Sequence, residues 1–572
     1  MSRVTQFLKS LTPNATVLLG LIVWWCVNLL QITFTELSND EAYYHIYADI
    51  LSWGYYDHPP MLALLIAMGE WVFGDTELGV RFFVILLQPF YLWIFWRLIR
   101  PNDATRSDAV LYVAVTSALL MLQLYGFVAV PDAPLMMTTV LYLAAYKGFI
   151  KNPKGFSWVW LSITMALMAY SKYQAALVVL FSIIVNPKIL LQWRLYLSGA
   201  VTLLLFLPHF IWQYEHDFAS FAYHLSGRNK PFKWGYVSEF ILNMLVVFSV
   251  FYVPLWVQAY RKVKAKTEFE RVLKWMPILF LIFFAYSLHR GRVQPQWLIP
   301  SCFGLVWILV EYLRSHPRSR KYAINMAIVT VVLVAITRLV MVFNPIGLKM
   351  DIFNNHKVYG AIADAAAGRP VIFTDGYANA SKYRFYIDDN AFGSPDFVYR
   401  TSQWQYLDDS HLYGQEVVVQ AQNLEPESDP ERYTIVPLAN GKQFIYYIDK
   451  EYVPLKRVTI NNMCELPFSV APNDVLKLVL EVYNPYDYPI TVDGENIRMQ
   501  LILQAMRTDY RVGEITNNLT LKAGETLHIN YEYTIPADVA DGEYKLGFVI
   551  LGTEKKGWFA APVEKLVVNG DN

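Results

Sequence analysis

Long uncharged apolar runs follow one another from residue 10 to about residue 343, and a shorter, alternating pattern replaces them afterwards. The runs predict eleven membrane spans near 12–34, 79–97, 109–128, 133–148, 156–171, 173–187, 195–214, 239–258, 274–288, 296–313 and 322–343. The first belongs to 26 uncharged residues (10–35) with no small-residue cleavage pattern after them, so it reads as a retained span rather than a signal peptide. Two runs are short for a hydrocarbon core of about 30 Å. Only 14 residues separate Asp132 from Lys147, and 15 separate Lys172 from Lys188. Either these two spans are misread, or Asp132 and Lys172 dip into a protein-lined cavity, where intramembrane charges are functional by default.

The polar intervals set the orientation. Basic clusters fall at Arg3/Lys9, Arg97/Arg100/Arg106, Lys147/Lys151/Lys154, Lys188/Arg194, Arg261 through Lys274, and Arg314 through Lys321. All lie on one side of an eleven-span path, which predicts a cytoplasmic N-terminus. The loops 35–78, 129–132, 172, 215–238 and 289–295, and all that follows residue 344, then face outward. Within loop 35–78, Glu41–Trp53 sets Tyr43, Ile46, Tyr47, Ile50 and Leu51 on one helical side and His45, Asp49 and Ser52 on another. That segment and the apolar but short Met61–Phe73 predict two interfacial helices.

Beyond residue 350, a helix-like stretch (Val358–Ala367) mixes with strand-like runs at Val371–Thr374, Glu416–Gln420 and Phe444–Ile448. Alternation then marks strands at Leu476–Tyr483, Ile497–Ala505, Thr526–Thr534, Tyr544–Leu551 and Ala561–Val567, separated by Asn484-Pro485, Asp493-Gly494 and Asp541-Gly542. The expected organisation is a transmembrane domain (1–345), a small soluble α/β domain (346–455) and an immunoglobulin-like β-sandwich (456–572).

Composition agrees: of 572 residues, 55% are hydrophobic and 17% charged, and 17 Trp and 39 Tyr suit membrane–water interfaces. The net charge of zero gives no electrostatic footprint for nucleic acid. Cys26, Cys302 and Cys464 supply neither a disulfide framework nor a metal cluster.

The first outward loop carries the chemistry. Ser38-Asn39-Asp40-Glu41 reads as a capping box, which uses Ser38 and Glu41 and leaves Asp40 to point elsewhere. Gly54-Tyr55-Tyr56-Asp57-His58-Pro59-Pro60 reads as a cap and helix start that does not require His58 or paired tyrosines. Asp40-Glu41-Ala42-Tyr43-Tyr44, that second motif, and Val80-Arg81-Phe82 together resemble the C-type glycosyltransferase superfamily. The resemblance is to bacterial relatives of dolichyl-phosphate-mannose protein mannosyltransferases and of the lipid A aminoarabinose transferase. Pro131-Asp132-Ala133-Pro134-Leu135, Ser171-Lys172-Tyr173, Leu207-Pro208, His216-Asp217-Phe218 and Arg292 through Trp297 extend it over roughly residues 15–345.

The resemblance implies a polytopic helical fold and an inverting transferase in the bacterial cytoplasmic membrane. Its donor is a polyprenyl-phosphate sugar and its acceptor a hydroxyl of an envelope lipid, glycan or exported protein. Asp40 is then the base that activates the acceptor, with Glu41 and Tyr44 in support and Asp132 orienting sugar or acceptor. Donor-side candidates are Tyr44, Tyr55, Asp57, His58, Lys172, Arg290 and Arg292; the cations and hydrogen-bond donors among them suit a departing phosphate. His58 stands where many relatives carry Lys. Snorkelling from a span end is the plain alternative for Lys172, headgroup contact for the two arginines, and helix capping for Asp132. Asp40, Glu41, Asp57 and His58 have cation-ligand chemistry, but phosphate departure beside basic residues requires no metal or other cofactor. The competing functions are a transporter or flippase for a lipid-linked sugar and a non-catalytic glycan-binding envelope protein. The first calls for inverted repeats, which are absent from the pattern.

Overall fold

The computed structural model describes residues 10–227, 231–394, 397, 401–421, 432–506, 509–555, 557 and 559–569. Arg3 and Lys9, counted above among the basic clusters, lie outside them. The chain divides into two compact units, Met1–Phe353 and Asn354–Asn572.

The first unit is helical. Its opening helix, α1 (Pro13–Phe34), leads through the short α2 (Asn39–Asp49) and α3 (Met61–Phe73) into α4 (Glu77–Ile99). After α5 (Arg106–Ser117) and the single turn α6 (Leu120–Leu124) come α7 (Asp132–Lys151), α8 (Ser157–Ser171) and α9 (Ala175–Val185). Among the described residues, six helices are long and apolar enough to cross a membrane: α1, α4, α7, Glu268–Arg290, Pro295–Arg314 and Pro317–Phe343. Counting two bent pairs, Trp193–Leu205 with Leu207–Glu215 (48°) and Trp234–Val247 with Val250–Lys262 (82°), gives up to eight. This is a multi-pass membrane fold with fewer full-length spans than the eleven expected.

The difference has local causes. The run 109–128 breaks after Ser117, where Gln123 Nε2 donates to the freed Ser117 carbonyl at 2.9 Å. The runs 156–171 and 173–187 fold as helices of 15 and 11 residues, because Lys172 between them is extended (φ −166°, ψ 143°). Irregular backbone inside a membrane protein persists only where other groups satisfy it.

The basic clusters gather at one end of this unit. Lys147 Nζ donates to Leu98 O (2.7 Å) and lies over the Phe269 ring (5.1 Å), and Arg194 reaches Gly155 O (3.1 Å). Lys274 reaches Val263 O (2.6 Å), Arg314 pairs with Asp103 (3.1 Å), and Arg320 bonds Ser107.

In the second unit, a five-stranded sheet has the order β2-β1-β3-β5-β4. Its strands are β1 (Val371–Phe373), β2 (Ala391–Gly393), β3 (Val417–Gln420), β4 (Thr434–Pro437) and β5 (Gln443–Asp449). β1 runs parallel to β2 and β3, whereas β5 is antiparallel to both its neighbours.

The strand-rich remainder forms a four-stranded sheet, β10-β9-β13-β14, a three-stranded sheet, β12-β7-β6, and a two-stranded pair of β8 (Ile490–Val492) with β11 (Leu519–Leu521). The first holds β9 (Arg498–Met506), β10 (Asp509–Thr516), β13 (Gly542–Leu551) and β14 (Glu564–Val568). The second holds β6 (Thr459–Asn462), β7 (Val475–Tyr483) and β12 (Thr526–Thr534). Leu476, Leu478, Leu480 and Val482 of β7 alternate inward and share one core with Met499, Leu501 and Leu503 of β9 and with Leu546, Phe548 and Ile550 of β13. That alternation is the period-2 pattern read from the sequence, and burying each such side chain is worth about 1.5–3 kcal/mol.

Candidate active site

The site is built outward from the start of α2. Ser38 caps the helix: its backbone N donates to Glu41 Oε2 (3.0 Å), and Glu41 N donates to Ser38 Oγ (3.4 Å). Glu41 is 1% exposed, and Arg81 of α4 grips both its oxygens, Nε to Oε1 at 2.6 Å and Nη2 to Oε2 at 2.7 Å. Ala129 N adds a bond to Oε1 at 2.9 Å. The same guanidinium donates to Thr35 O (2.5 Å) and Glu36 O (3.1 Å), joining the end of α1 to α2. Burial pushes the Glu41 carboxyl up, but Arg81 and the hydrogen bonds from Ala129 and Ser38 outweigh it and hold the group below its ordinary range. Glu41, expected among the catalytic residues, is therefore saturated and serves to position its neighbours. Asp40, one residue earlier, is exposed in the first turn of α2.

The strap formed by α6 and the residues leading from it to α7 (120–131) crosses beside it. Gln88 Nε2 donates to Leu122 O (2.5 Å), Arg338 Nη2 to Gln123 O (3.1 Å) and Asn28 Nδ2 to Gly126 O (3.1 Å). With Glu41 on Ala129 N, four buried side chains from four helices hold this backbone. The strap presents Tyr125, whose hydroxyl lies within electrostatic reach of both Asp132 and Asp40. Asp132 opens α7, and Lys172 Nζ meets both its oxygens at 2.7 Å; the two residues are 3% and 5% exposed. Lys172, expected to snorkel or to serve phosphate directly, instead turns inward to this carboxylate. Asp132 is held as an ion pair.

The motif at 54–60 forms a third wall. Tyr47 and Tyr55 stack with centroids 4.2 Å apart, and Tyr47 Oη donates to Asp57 at 3.3 Å. The Tyr55 hydroxyl accepts from Ser52 N (3.0 Å) and donates to Tyr47 O (2.8 Å), and burial pushes it up to about 12. The Tyr55 hydroxyl is thus used within the loop, which it ties together. Asp57 is 3% exposed, and the His58 ring lies between those of Tyr44 (5.7 Å) and His224 (5.8 Å). Gly54 is required by close approach: a Cβ there would meet the Trp212 ring at 2.5 Å.

Sequence reasoning missed the residues that clamp this loop. His209 Nδ1 bonds Trp53 O (2.7 Å), and its Nε2 meets Tyr173 Oη (3.0 Å). Gln213 donates to Ser220 Oγ (2.7 Å), Ser220 Oγ donates to Tyr55 O (2.7 Å), and His224 Nε2 bonds Asp57 O (2.7 Å). The available signal was a polar pair at i, i+4, His209 and Gln213, inside an otherwise apolar helix.

Arg290 and Arg292 bond to groups outside the first loop. Arg290 reaches Leu225 O (3.2 Å) beside His224, whereas exposed Arg292 is engaged by Glu239 (2.6 Å). Among the described residues, one group has metal-ligand types and spacing, His45, Asp49 and Glu70, with donor atoms within 4.8 Å of one another. Burial disfavours the His45 cation, but Glu70, 2.6 Å from Nδ1, together with Asp49 and Asp75, raises it above the ordinary histidine value. As it stands this is a histidine–carboxylate pairing that ties α2 to α3.

A family model described as dolichyl-phosphate-mannose-protein mannosyltransferase matches residues 57–212, which take in Asp57, His58, Arg81, the strap, Asp132, Lys172 and His209. An uncharacterized protein of Aquifex aeolicus (strain VF5) is 25% identical over 296 residues, 49% of this chain and 57% of that relative. The chain thus spans little more than half the length of that curated relative. Crystal structures of ArnT from Cupriavidus metallidurans, in the apo state and bound to undecaprenyl phosphate, match with a TM-score of 0.57. Their identities are 14% and 15%, and each match covers 75% of this chain and 97% of the ArnT chain. At that identity the likeness is one of fold. The matched family model thus lies within the membrane unit, and the solved ArnT structures share its helical fold.

Proposed function

We propose that the chain is an inverting glycosyltransferase that moves a sugar from a polyprenyl-phosphate donor to a hydroxyl of an envelope lipid, glycan or exported protein. The observation that carries this reading is a pair of carboxylates of unlike environment, both within electrostatic reach of the Tyr125 hydroxyl: Asp40, exposed at the helix start, and Asp132, buried against Lys172. A hydroxyl is a weak nucleophile at neutral pH, so a solvent-facing carboxylate at the reacting centre suits the base. Asp40 takes that role. Lys172 fixes Asp132 through both carboxylate oxygens, so Asp132 orients a substrate hydroxyl. His58, with Tyr44 beside it, and Arg290 contribute donors near the Asp57 turn for the departing phosphate.

The match to a solved ArnT structure bound to undecaprenyl phosphate supports a polyprenyl phosphate as the carrier. The reading requires no metal. It sets the chain in a bacterial cytoplasmic membrane with the basic end inside and the Asp40 end outside. Purified protein should consume undecaprenyl-phosphate-linked sugars and release undecaprenyl phosphate only when an acceptor extract is present; no release with any pentose or hexose donor would sink the proposal. A cysteine at position 102 should resist labelling from outside intact cells, and labelling there would reverse the orientation.

A further inference from the structure

We propose that Tyr125 is a substrate-contacting, specificity-determining residue of this site, its hydroxyl reading a hydroxyl of the sugar being transferred. The inference rests on the transferase reading above and goes beyond it to a residue outside every sequence motif.

The first support is how firmly the strap is held. Four buried side chains reach it from four helices: Asn28 from α1, Glu41 from α2, Gln88 from α4 and Arg338 from Pro317–Phe343. Their exposures are 0%, 1%, 2% and 6%. A charge inside a 27-residue apolar helix is costly, and Arg338 spends its charge on one carbonyl of the strap and on the face of Phe127, 4.7 Å away. Polar groups from so many elements fix the Cα of the residue at its centre, as a preorganised site requires.

The second support is what that residue offers. Tyr125 is half-buried, and among the described residues its hydroxyl has no hydrogen-bond partner. This sets it apart from Tyr47, Tyr55 and Tyr173, whose hydroxyls are used within the protein. A phenol donates and accepts, as a sugar hydroxyl does.

The third support is charge. Asp40 and the Asp132–Lys172 ion pair both lie within electrostatic reach of this hydroxyl, ground that suits a neutral, hydrogen-bonding sugar hydroxyl. Tyr125 is therefore assigned to the sugar side of the site.

Tyr125→Phe removes the hydroxyl and keeps the ring. The test measures kcat/KM of wild type and variant on undecaprenyl-phosphate-linked pentoses and hexoses, together with singly deoxygenated analogues of the preferred sugar. The variant should lose about 3- to 10-fold on the preferred sugar, the worth of one neutral hydrogen bond. It should match wild type on one deoxygenated analogue and keep its melting temperature. Equal kinetics on every donor would overturn the inference while leaving the transferase reading intact. Wild-type protein that consumes no donor would overturn both. A variant whose loss is the same on every analogue would also overturn it, since the ring, not the hydroxyl, would then be what matters.

Discussion

Lys172 Nζ lies 2.7 Å from both carboxylate oxygens of Asp132, in surroundings that leave each side chain about 5% exposed. The pair closes a contact of 40 positions in sequence and explains why the span before Lys172 stops short. Breaking such a pair from one side leaves a buried charge alone, which costs about 3–5 kcal/mol, whereas replacing both partners is far milder. Lys172→Met should lower the melting temperature of the detergent-solubilised protein sharply, and Asp132→Leu with Lys172→Met should recover most of it without recovering turnover. Recovery of both would make the pair purely structural.

Gly126 is the strap's tightest point. A Cβ there would sit 2.0 Å from Gln88 Nε2, whose bond to Leu122 O it would displace. Gly126→Ala should destabilise the membrane unit by about 1–3 kcal/mol and reduce transfer, although no atom added touches substrate. Full activity at an unchanged melting temperature would show that the strap's position is not critical.

How far the sequence reveals this site depends on the range of each contact. The capping box of Ser38 and Glu41 is legible because its partners sit three residues apart. That Glu41 is saturated is not, because Arg81 and Ala129 arrive from 40 and 88 positions away. Asp132 and Lys172 each stand out as charges in apolar runs, yet nothing local pairs them. His209, Gln213 and His224 hide in aromatic, apolar stretches, and their partners are the backbone carbonyls of Trp53 and Asp57 or the hydroxyls of Tyr173 and Ser220, none of which leaves a pattern. The same asymmetry governs the fold. Alternation exposes β7, β9 and β13 directly, whereas helix breaks at Ser117 and Lys172 depend on side chains far along the chain.

The second unit carries its own acid–base feature. Among the described residues, Glu554 Oε2 is sealed from solvent without a hydrogen-bond partner, in a pocket shared with Ser394, Asp409, Tyr452 and Lys456. Asp409 is paired with Lys456 (3.2 Å). Burial, with Asp449 and Asp409 nearby, pushes its carboxyl up to about 7, against bonds from its own backbone and Ser394. A carboxyl raised on folding stabilises the protonated form, so its contribution is full below the unfolded value near 4.5 and is lost as pH rises through 7. Residues 354–572, made alone, should lose about 1–3 kcal/mol of stability between pH 5 and pH 8. Glu554→Gln should flatten that slope, and an unchanged slope in the variant would assign it to other groups.

Asp40 as the base is the centre of the account, and Asp40→Asn tests it most directly. The amide keeps the size of the side chain and cannot accept a proton, while the Ser38–Glu41 box and the Arg81 grip remain to hold α2. The measurement is glycosyl transfer from a purified undecaprenyl-phosphate-linked sugar, with melting temperature recorded alongside. Turnover should fall about 10² to 10⁴-fold with melting unchanged, whereas Glu41→Gln should lower the melting temperature instead. Near-full turnover in Asp40→Asn, with Asp132→Asn inactive, would contradict the assignment and move the base to the start of α7.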